Sequence, residues 1–233
     1  MLTLAHRGAS GYAPENTAAA FELAIDMGAD MIETDARRTR DGQVVLFHDD
    51  RLDSRSDGTG TVADHTLTQL RRLDLGAWFG PRFAGERILT LAEYLDRFTD
   101  RIGTCLEIKD PAAAEAVVAE LGPRRLAAGP HAFHLTSFDW DAAVRARAAL
   151  RLPTGYLCRA FDVDTIERCV GAGLTQICPP AGLLTAPLVE AAHQAGLLVR
   201  AWGVRDRADV DRLFATGADG ATVNWPDWLL QRR

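Results

Sequence analysis

Two carboxylates stand two residues apart in the apolar opening of the stretch MIETDARR, Glu33 and Asp35. A second run, LEIKD, carries Glu107 and Lys109, and a third, LTLAHRG, carries His6 followed by Arg7. Residues two apart on a strand point to one face. Glu33 with Asp35, Glu107 with Lys109, and Leu4 with His6 are therefore same-face pairs toward the ends of apolar runs. A buried carboxylate is costly unless something compensates it. Three acids brought together repel one another unless a cation joins them. Three oxygen ligands, with no thiolate or imidazole cluster, suit a hard divalent ion, Mg²⁺ or Ca²⁺. Pairing with arginines such as Arg37 and Arg38 would account for any one of these acids, but less well for three at matching strand ends. His6 and His48 each close an apolar run beside charged neighbours, and two histidines flanking a metal suit general acid and base work near neutral pH. Arg7 offers a planar fork for an anion, and phosphate is a good match.

The elements that must position these groups repeat along the chain. Short apolar runs at 2–6, 31–39, 104–109, 132–137, 154–158, 176–178, 198–204 and 218–224 read as strands. Helical patterns lie between most of them, at 17–27, 91–99, 112–121, 140–150, 163–172, 186–195 and 207–215. This alternation marks βαβ units. Eight strands close a (β/α)₈ TIM barrel, an α/β fold whose active site lies at the C-terminal strand ends. Gly28, Gly122, Gly173, Gly196 and Gly217 follow helical patterns and are expected as left-handed C-caps. The run 43–48 departs from the rhythm. It follows 31–39 across Asp41-Gly42, a hairpin signal, with no crossover helix before it, so it cannot be a parallel strand. A projecting antiparallel ribbon is expected instead. Residues 51–87, with SDGTGTVADHT and the aromatics Trp78, Phe79 and Phe83, read as an insertion that caps one barrel face. The whole of 1–233 is expected to be one domain.

The chain is 47% hydrophobic and 25% charged with a net charge of −6. That mild acidity argues against a nucleic-acid or anionic-membrane surface and leaves a small molecule as the expected partner. No apolar run approaches the roughly 20 residues of a membrane span, and the opening MLTLAHRG does not read as a secretory leader. Cys105, Cys158, Cys169 and Cys178 form no C-x-x-C pair and are expected as reduced core thiols of a cytoplasmic protein. Among the other histidines, His65 is expected at the surface and His193 solvated on a helix. His131 and His134 flank the 132–137 strand and are expected as structural histidines, the alternative being that His134 approaches the barrel's upper layer. Oligomeric state is not legible at this level.

The chain also resembles a family. HRGASGYAPENTAAAF is similar to the amino-terminal signature of the glycerophosphodiester phosphodiesterases. The likeness continues in order through IETDARRTRDGQVVLFHDDRLDSRSDGTG, ILTLAEYL, LEIK, TSF, AWGV and GADGATVNWP, nearly the whole chain. The resemblance implies a TIM barrel with a small insertion, a divalent metal, and hydrolysis of glycerophosphodiesters to glycerol 3-phosphate and an alcohol. Residue by residue, it implies Glu33, Asp35 and Glu107 as metal ligands and His6 and His48 as the acid/base pair. It implies Arg7 and Lys109 as phosphate contacts, Glu15 and Asn16 near the metal shell, and Trp202 lining the substrate pocket. The chain departs from the family pattern at Asn224, usually Asp, at Ser54-Arg55, more often Arg-Thr, and in AWGVR, more commonly AWTVN. None of these falls on a metal or histidine position, so they are expected to bear on substrate contact only. Three other readings compete. A lysophospholipase D-type phosphodiesterase would use an apolar rim, which Trp78, Phe79 and Phe83 can supply. A non-catalytic phosphate-binding barrel would have lost an acid or a histidine, and all five are present. A sugar-phosphate isomerase would need a glycine-rich phosphate loop near the last strands, and GADGATV is poor in glycine there.

Overall fold

The computed structural model describes residues 1–124, 126 and 132–233. In chain order its strands are β1 (Leu2–His6), β2 (Met31–Arg38), β3 (Val44–Leu46), β4 (Gly103–Ile108), β5 (Phe133–Ser137), β6 (Thr154–Leu157), β7 (Gln176–Cys178), β8 (Leu198–Ala201) and β9 (Gly220–Val223). Its helices are α1 (Ala18–Asp26), α2 (Leu67–Leu70), α3 (Leu91–Phe98), α4 (Pro111–Leu121), α5 (Trp140–Leu150), α6 (Val163–Gly171), α7 (Ala186–Gln194), α8 (Arg207–Thr216) and α9 (Asp227–Leu230). The sheet order is β1-β9-β8-β7-β6-β5-β4-β2-β3, and β1 also pairs with β2. All pairings but β2–β3 are parallel, so eight strands close the expected (β/α)₈ barrel and β3 hangs from its rim.

Local sequence sets the helix starts. The side chains of Asp110, Asp139, Asp162 and Asp206 each accept a first-turn backbone N–H, and Thr90 with Glu93 forms a reciprocal capping box. These contacts satisfy donors that a helix N-terminus leaves free. At the other end Gly28, Gly173, Gly196 and Gly217 take positive φ, as expected, but Gly122 does not: it is right-handed at φ −53°. Instead α5 ends on a left-handed Arg151. The strands of 198–204 and 218–224 are shorter than their apolar runs. Trp202 and Asn224 therefore sit just past strand ends, in the loops of the barrel mouth.

The ribbon forms where the hairpin signal placed it. Ala36, Arg37 and Arg38 pair antiparallel with Leu46, Val45 and Val44. Gly42 has φ 83° and closes a turn in which the Thr39 N–H donates to the Gln43 carbonyl. Left-handed glycine at that position suits a three-residue hairpin loop. The insertion packs on the ribbon through a small core of its own, with Val45, Phe47, Leu52, Val62, Leu70 and Leu75 buried together. The main cores lie between the barrel wall and the helices. All four cysteines are free and buried.

Candidate active site

At the end of β1 the chain folds back under α1. Arg7 and Gly8 both take positive φ, 56° and 82°. A Cβ at Gly8 would lie 2.5 Å from the Ala20 carbonyl carbon, so the turn admits only glycine. Arg7 adopts a sparsely populated conformation, held by its backbone N–H donating to Glu33 Oε2 (3.2 Å) and its Nη1 donating to Glu15 Oε1 (2.9 Å). Asn16, also left-handed, fastens the loop to β2: its Nδ2 donates to Asp35 Oδ2 (2.9 Å) and its Oδ1 accepts from Thr34 Oγ1. Asn16 thus reaches the acid cluster directly, and Glu15 only through Arg7.

Strand register brings the acids together. Glu33 pairs across from His6, and Asp35 across from Glu107. Glu33, Asp35 and Glu107 are all buried, and each offers an oxygen within 4.8 Å of the others. Glu33 lies in mid-strand, one layer deeper than the strand-end position expected. The arginines of β2 do not neutralise the cluster. Arg37 donates to the His48 carbonyl and faces Asp110 instead. The cations present are Arg7, with Nε 3.4 Å from Asp35 Oδ2, and Lys109, with Nζ 2.7 Å from Glu107 Oε1 and 3.4 Å from Asp35 Oδ1. They do not suffice for all three acids. Burial, then the neighbouring acids, holds Glu33 well above the usual carboxylate range and pushes Glu107 up to about 7. Asp35 is held low: Arg7 and Lys109 outweigh its burial. Its Oδ1 is buried and accepts no hydrogen bond.

The two histidines have different partners. His6 Nδ1 lies 2.5 Å from Asn224 Oδ1, and its Nε2 is 3.9 Å from Glu33 Oε2. An amide oxygen only accepts, so Nδ1 carries the proton and Nε2 presents a lone pair. Burial, then Arg7, depresses the His6 pKa to about 3. His48 stands past the end of β3 with Nδ1 2.7 Å from Asp49 Oδ1, and Asp49 in turn accepts from Ser54 Oγ. Burial lowers the His48 pKa, while Asp35 and Asp49 oppose the shift.

The profile of the glycerophosphoryl diester phosphodiesterase family matches residues 6–228. The chain belongs to that family. It is accordingly a phosphodiesterase, and the similarity to individual relatives is broad. The chain is 36% identical over 240 residues to YhdW of Bacillus subtilis, covering 99% of this chain and 97% of that one. It is 34% identical over 252 residues to a glycerophosphodiester phosphodiesterase of the same species, covering 97% and 84%. Among solved structures it is similar, at 29% identity and a TM-score of 0.90, to an Oleispira antarctica phosphodiesterase in complex with the product sn-glycerol-3-phosphate. That match covers 99% of this chain and 96% of the other.

In this phosphodiesterase the departures from the family pattern are not remote. Asn224 bonds His6 directly, Ser54 reaches His48 through Asp49, and Arg55 pairs with Glu15 (3.2 Å). Two of the three departures thus lie against candidate site residues, closer than the sequence suggested. Trp202 forms one wall of the mouth. Its Nε1 donates to the Cys178 and Cys158 carbonyls, and its ring meets Phe138 edge-on at 5.1 Å. His134 does not reach the upper layer. It pairs across from Cys105, in register with Glu33 rather than with Asp35 and Glu107, and its Nδ1 accepts from Gln176. His65 is half-buried, and its Nδ1 meets the Thr61 carbonyl. His193 is half-buried against Asp219, and His131 lies outside the described residues. Sequence reading passed over Phe138, Arg159 and Arg200. Arg200 was detectable, since it stands two residues before Trp202 and so shares its inward face.

Among the described residues no helix is long and apolar enough to cross a membrane.

Proposed function

We propose that this chain hydrolyses glycerophosphodiesters to glycerol 3-phosphate and an alcohol, with Glu33, Asp35 and Glu107 holding one divalent cation, Mg²⁺ or Ca²⁺. The observation that carries this reading is the buried carboxylate triad lying between two histidines and two cations. The donor set fits such an ion. All three ligands are hard oxygens, burial and then the neighbouring Asp35 charge push Glu33 and Glu107 toward protonation, and Asp35 Oδ1 accepts no hydrogen bond. The cation supplies Lewis acidity toward phosphoryl oxygens.

The remaining chemistry belongs to the side chains. Arg7 and Lys109 hold the non-bridging phosphate oxygens. Trp202 walls the mouth, and Asn16 and Glu15 hold Asp35 and Arg7 in place. The substrate's hydroxyl next to the phosphoester attacks phosphorus, passing its proton to the free lone pair of His6 Nε2. The bond to the leaving alcohol breaks, and His48, whose charged form Asp49 favours, protonates that oxygen. Water then opens the cyclic phosphate with the two histidines in reversed roles. An internal hydroxyl of this kind has an effective molarity of up to about 10⁵–10⁸ M when well oriented. The free, buried cysteines are consistent with a cytoplasmic setting.

A lysophospholipid substrate is a second reading, favoured by the exposed ring of Trp78 with Arg55 stacked 4.6 Å from its centre. One release assay separates them: a panel of glycerophosphodiesters and one lysophospholipid, with and without chelator. Turnover of the glycerophosphodiesters that vanishes on chelation is expected. Activity on the lysophospholipid alone would replace the first reading by the second.

A further inference from the structure

Arg200 is a buried cation that no step above uses. It sits on β8 inside the barrel, 2% exposed. Its Nε donates to Gln176 Oε1 (2.6 Å) and its Nη2 to Cys105 Sγ (3.4 Å). No carboxylate lies within ion-pair distance among the described residues. The Gln176 amide, with its oxygen on Arg200, turns its Nε2 to His134 Nδ1 (3.0 Å). His134 therefore accepts and stays neutral, its pKa depressed to about 4 by burial and by Arg200 itself. A lone buried guanidinium is costly, and of its five N–H donors these contacts engage two.

The space above Arg200 suggests what engages the rest. A cavity runs between Glu33 and Glu107 on one side and Arg200 on another, walled by Phe138, Trp202 and Cys178. It encloses about 50 Å³, against about 620 Å³ in the open groove beside His48 and Lys109. In a glycerophosphodiester the glycerol arm is constant and the alcohol varies. The smaller cavity suits the constant piece and the open groove the variable one. The cavity's apolar walls match the carbons of glycerol, and its floor offers donors to an oxygen.

We propose that Arg200 determines specificity for the glycerol arm in this cavity by donating to its terminal hydroxyl, the one farther from phosphorus. The inference deepens the hydrolase reading and rests on it for the identity of the ligand. Arg200 then fixes the arm's depth, and with it the placement of the attacking hydroxyl at His6.

The test compares glycerol 3-phosphate with propane-1,2-diol 1-phosphate, which keeps the hydroxyl next to the phosphoester and lacks only the terminal one. Calorimetry on Mg²⁺-loaded protein should show the propanediol compound binding about 10- to 100-fold more weakly, the usual worth of a hydrogen bond to a charged donor. Arg200→Gln should bind both compounds about equally. Should that variant fail to fold, Arg200→Lys, which keeps the charge but loses the fork, should discriminate less than the native protein. The diester pair, glycerophosphocholine and its propanediol counterpart, should show the same pattern in kcat/KM. Equal native affinity for the two phosphates would overturn the subsite. So would full discrimination retained in a folded Arg200 variant. Absence of turnover with the affinity difference intact would instead count against hydrolysis alone.

Discussion

Replacing Asn224 with aspartate puts a charge where the structure has an amide oxygen 2.5 Å from His6 Nδ1. Two unit charges about 4 Å apart interact by roughly 4 kcal/mol at an effective dielectric of about 20. The His6 side chain is 30% exposed, and solvent screening halves this to about 2 kcal/mol, or roughly 1.5 pKa units. The sign is upward, because an adjacent anion favours the imidazolium. His6, at about 3 in the native protein, should therefore titrate near roughly 4.5 in Asn224→Asp. The ring would still be neutral at pH 8, so activity there should stay within about tenfold of native, with His6 a stronger base. Asn224→Ala should lose more, since nothing then holds the proton on Nδ1. Nitrogen-15 spectra of the histidine rings in metal-free protein read both quantities at once, the protonated nitrogen and the pKa. A native spectrum with the proton on Nε2, or an Asn224→Asp pKa no higher than native, would refute the role given to this contact.

The metal should bind more tightly as pH rises from 6 to 8, because Glu107, pushed up to about 7, must lose its proton to coordinate; calorimetry in buffers of different ionisation enthalpy should show proton release at pH 6 and less at pH 8. Glu33→Ala, Asp35→Ala and Glu107→Ala should each weaken Mg²⁺ binding, and full activity of exhaustively chelated protein would remove the metal from the mechanism. His6→Ala and His48→Ala should each lower kcat by at least about 10². A nitrophenyl leaving group should rescue only the His48 variant, and rescue of the His6 variant would exchange the two roles. A diester lacking the hydroxyl next to the phosphoester should bind yet scarcely turn over, whereas near-native turnover would mean that water attacks phosphorus directly.

The alternation of apolar runs and helical patterns made the barrel legible, and period two on the strands made the acid cluster legible. Glu33, Asp35 and Glu107 share the inward face because strand geometry leaves them no choice. The partners of the histidines were not legible. Asn224 is 218 residues from His6 in sequence, and only closure of β9 against β1 brings them together. Arg37, set aside as a partner for the acids, shows how little nearness in sequence decides. It sits where β2 leaves the barrel for the ribbon and faces Asp110. Arg200 was within reach of the same alternation that found the acids, but an arginine in an apolar strand reads as exposed until the barrel closes around it.

The two histidines reach the cleft on different parts of the molecule. His6 ends a barrel strand between β9 and β2, while His48 follows a ribbon strand packed against the insertion. Six lining residues of the open groove, His48, Asp49, Asp50, Arg51, Asp53 and Ser54, come from one unbroken stretch of chain that lies outside the barrel strands. The half of the cleft proposed to meet the departing alcohol is thus supplied largely by one continuous segment. On the proposed mechanism, changes confined to that segment would retune which alcohols are released and leave the acids of the barrel strands in place. A lineage that diversifies its substrates need not touch the core that makes the reaction possible.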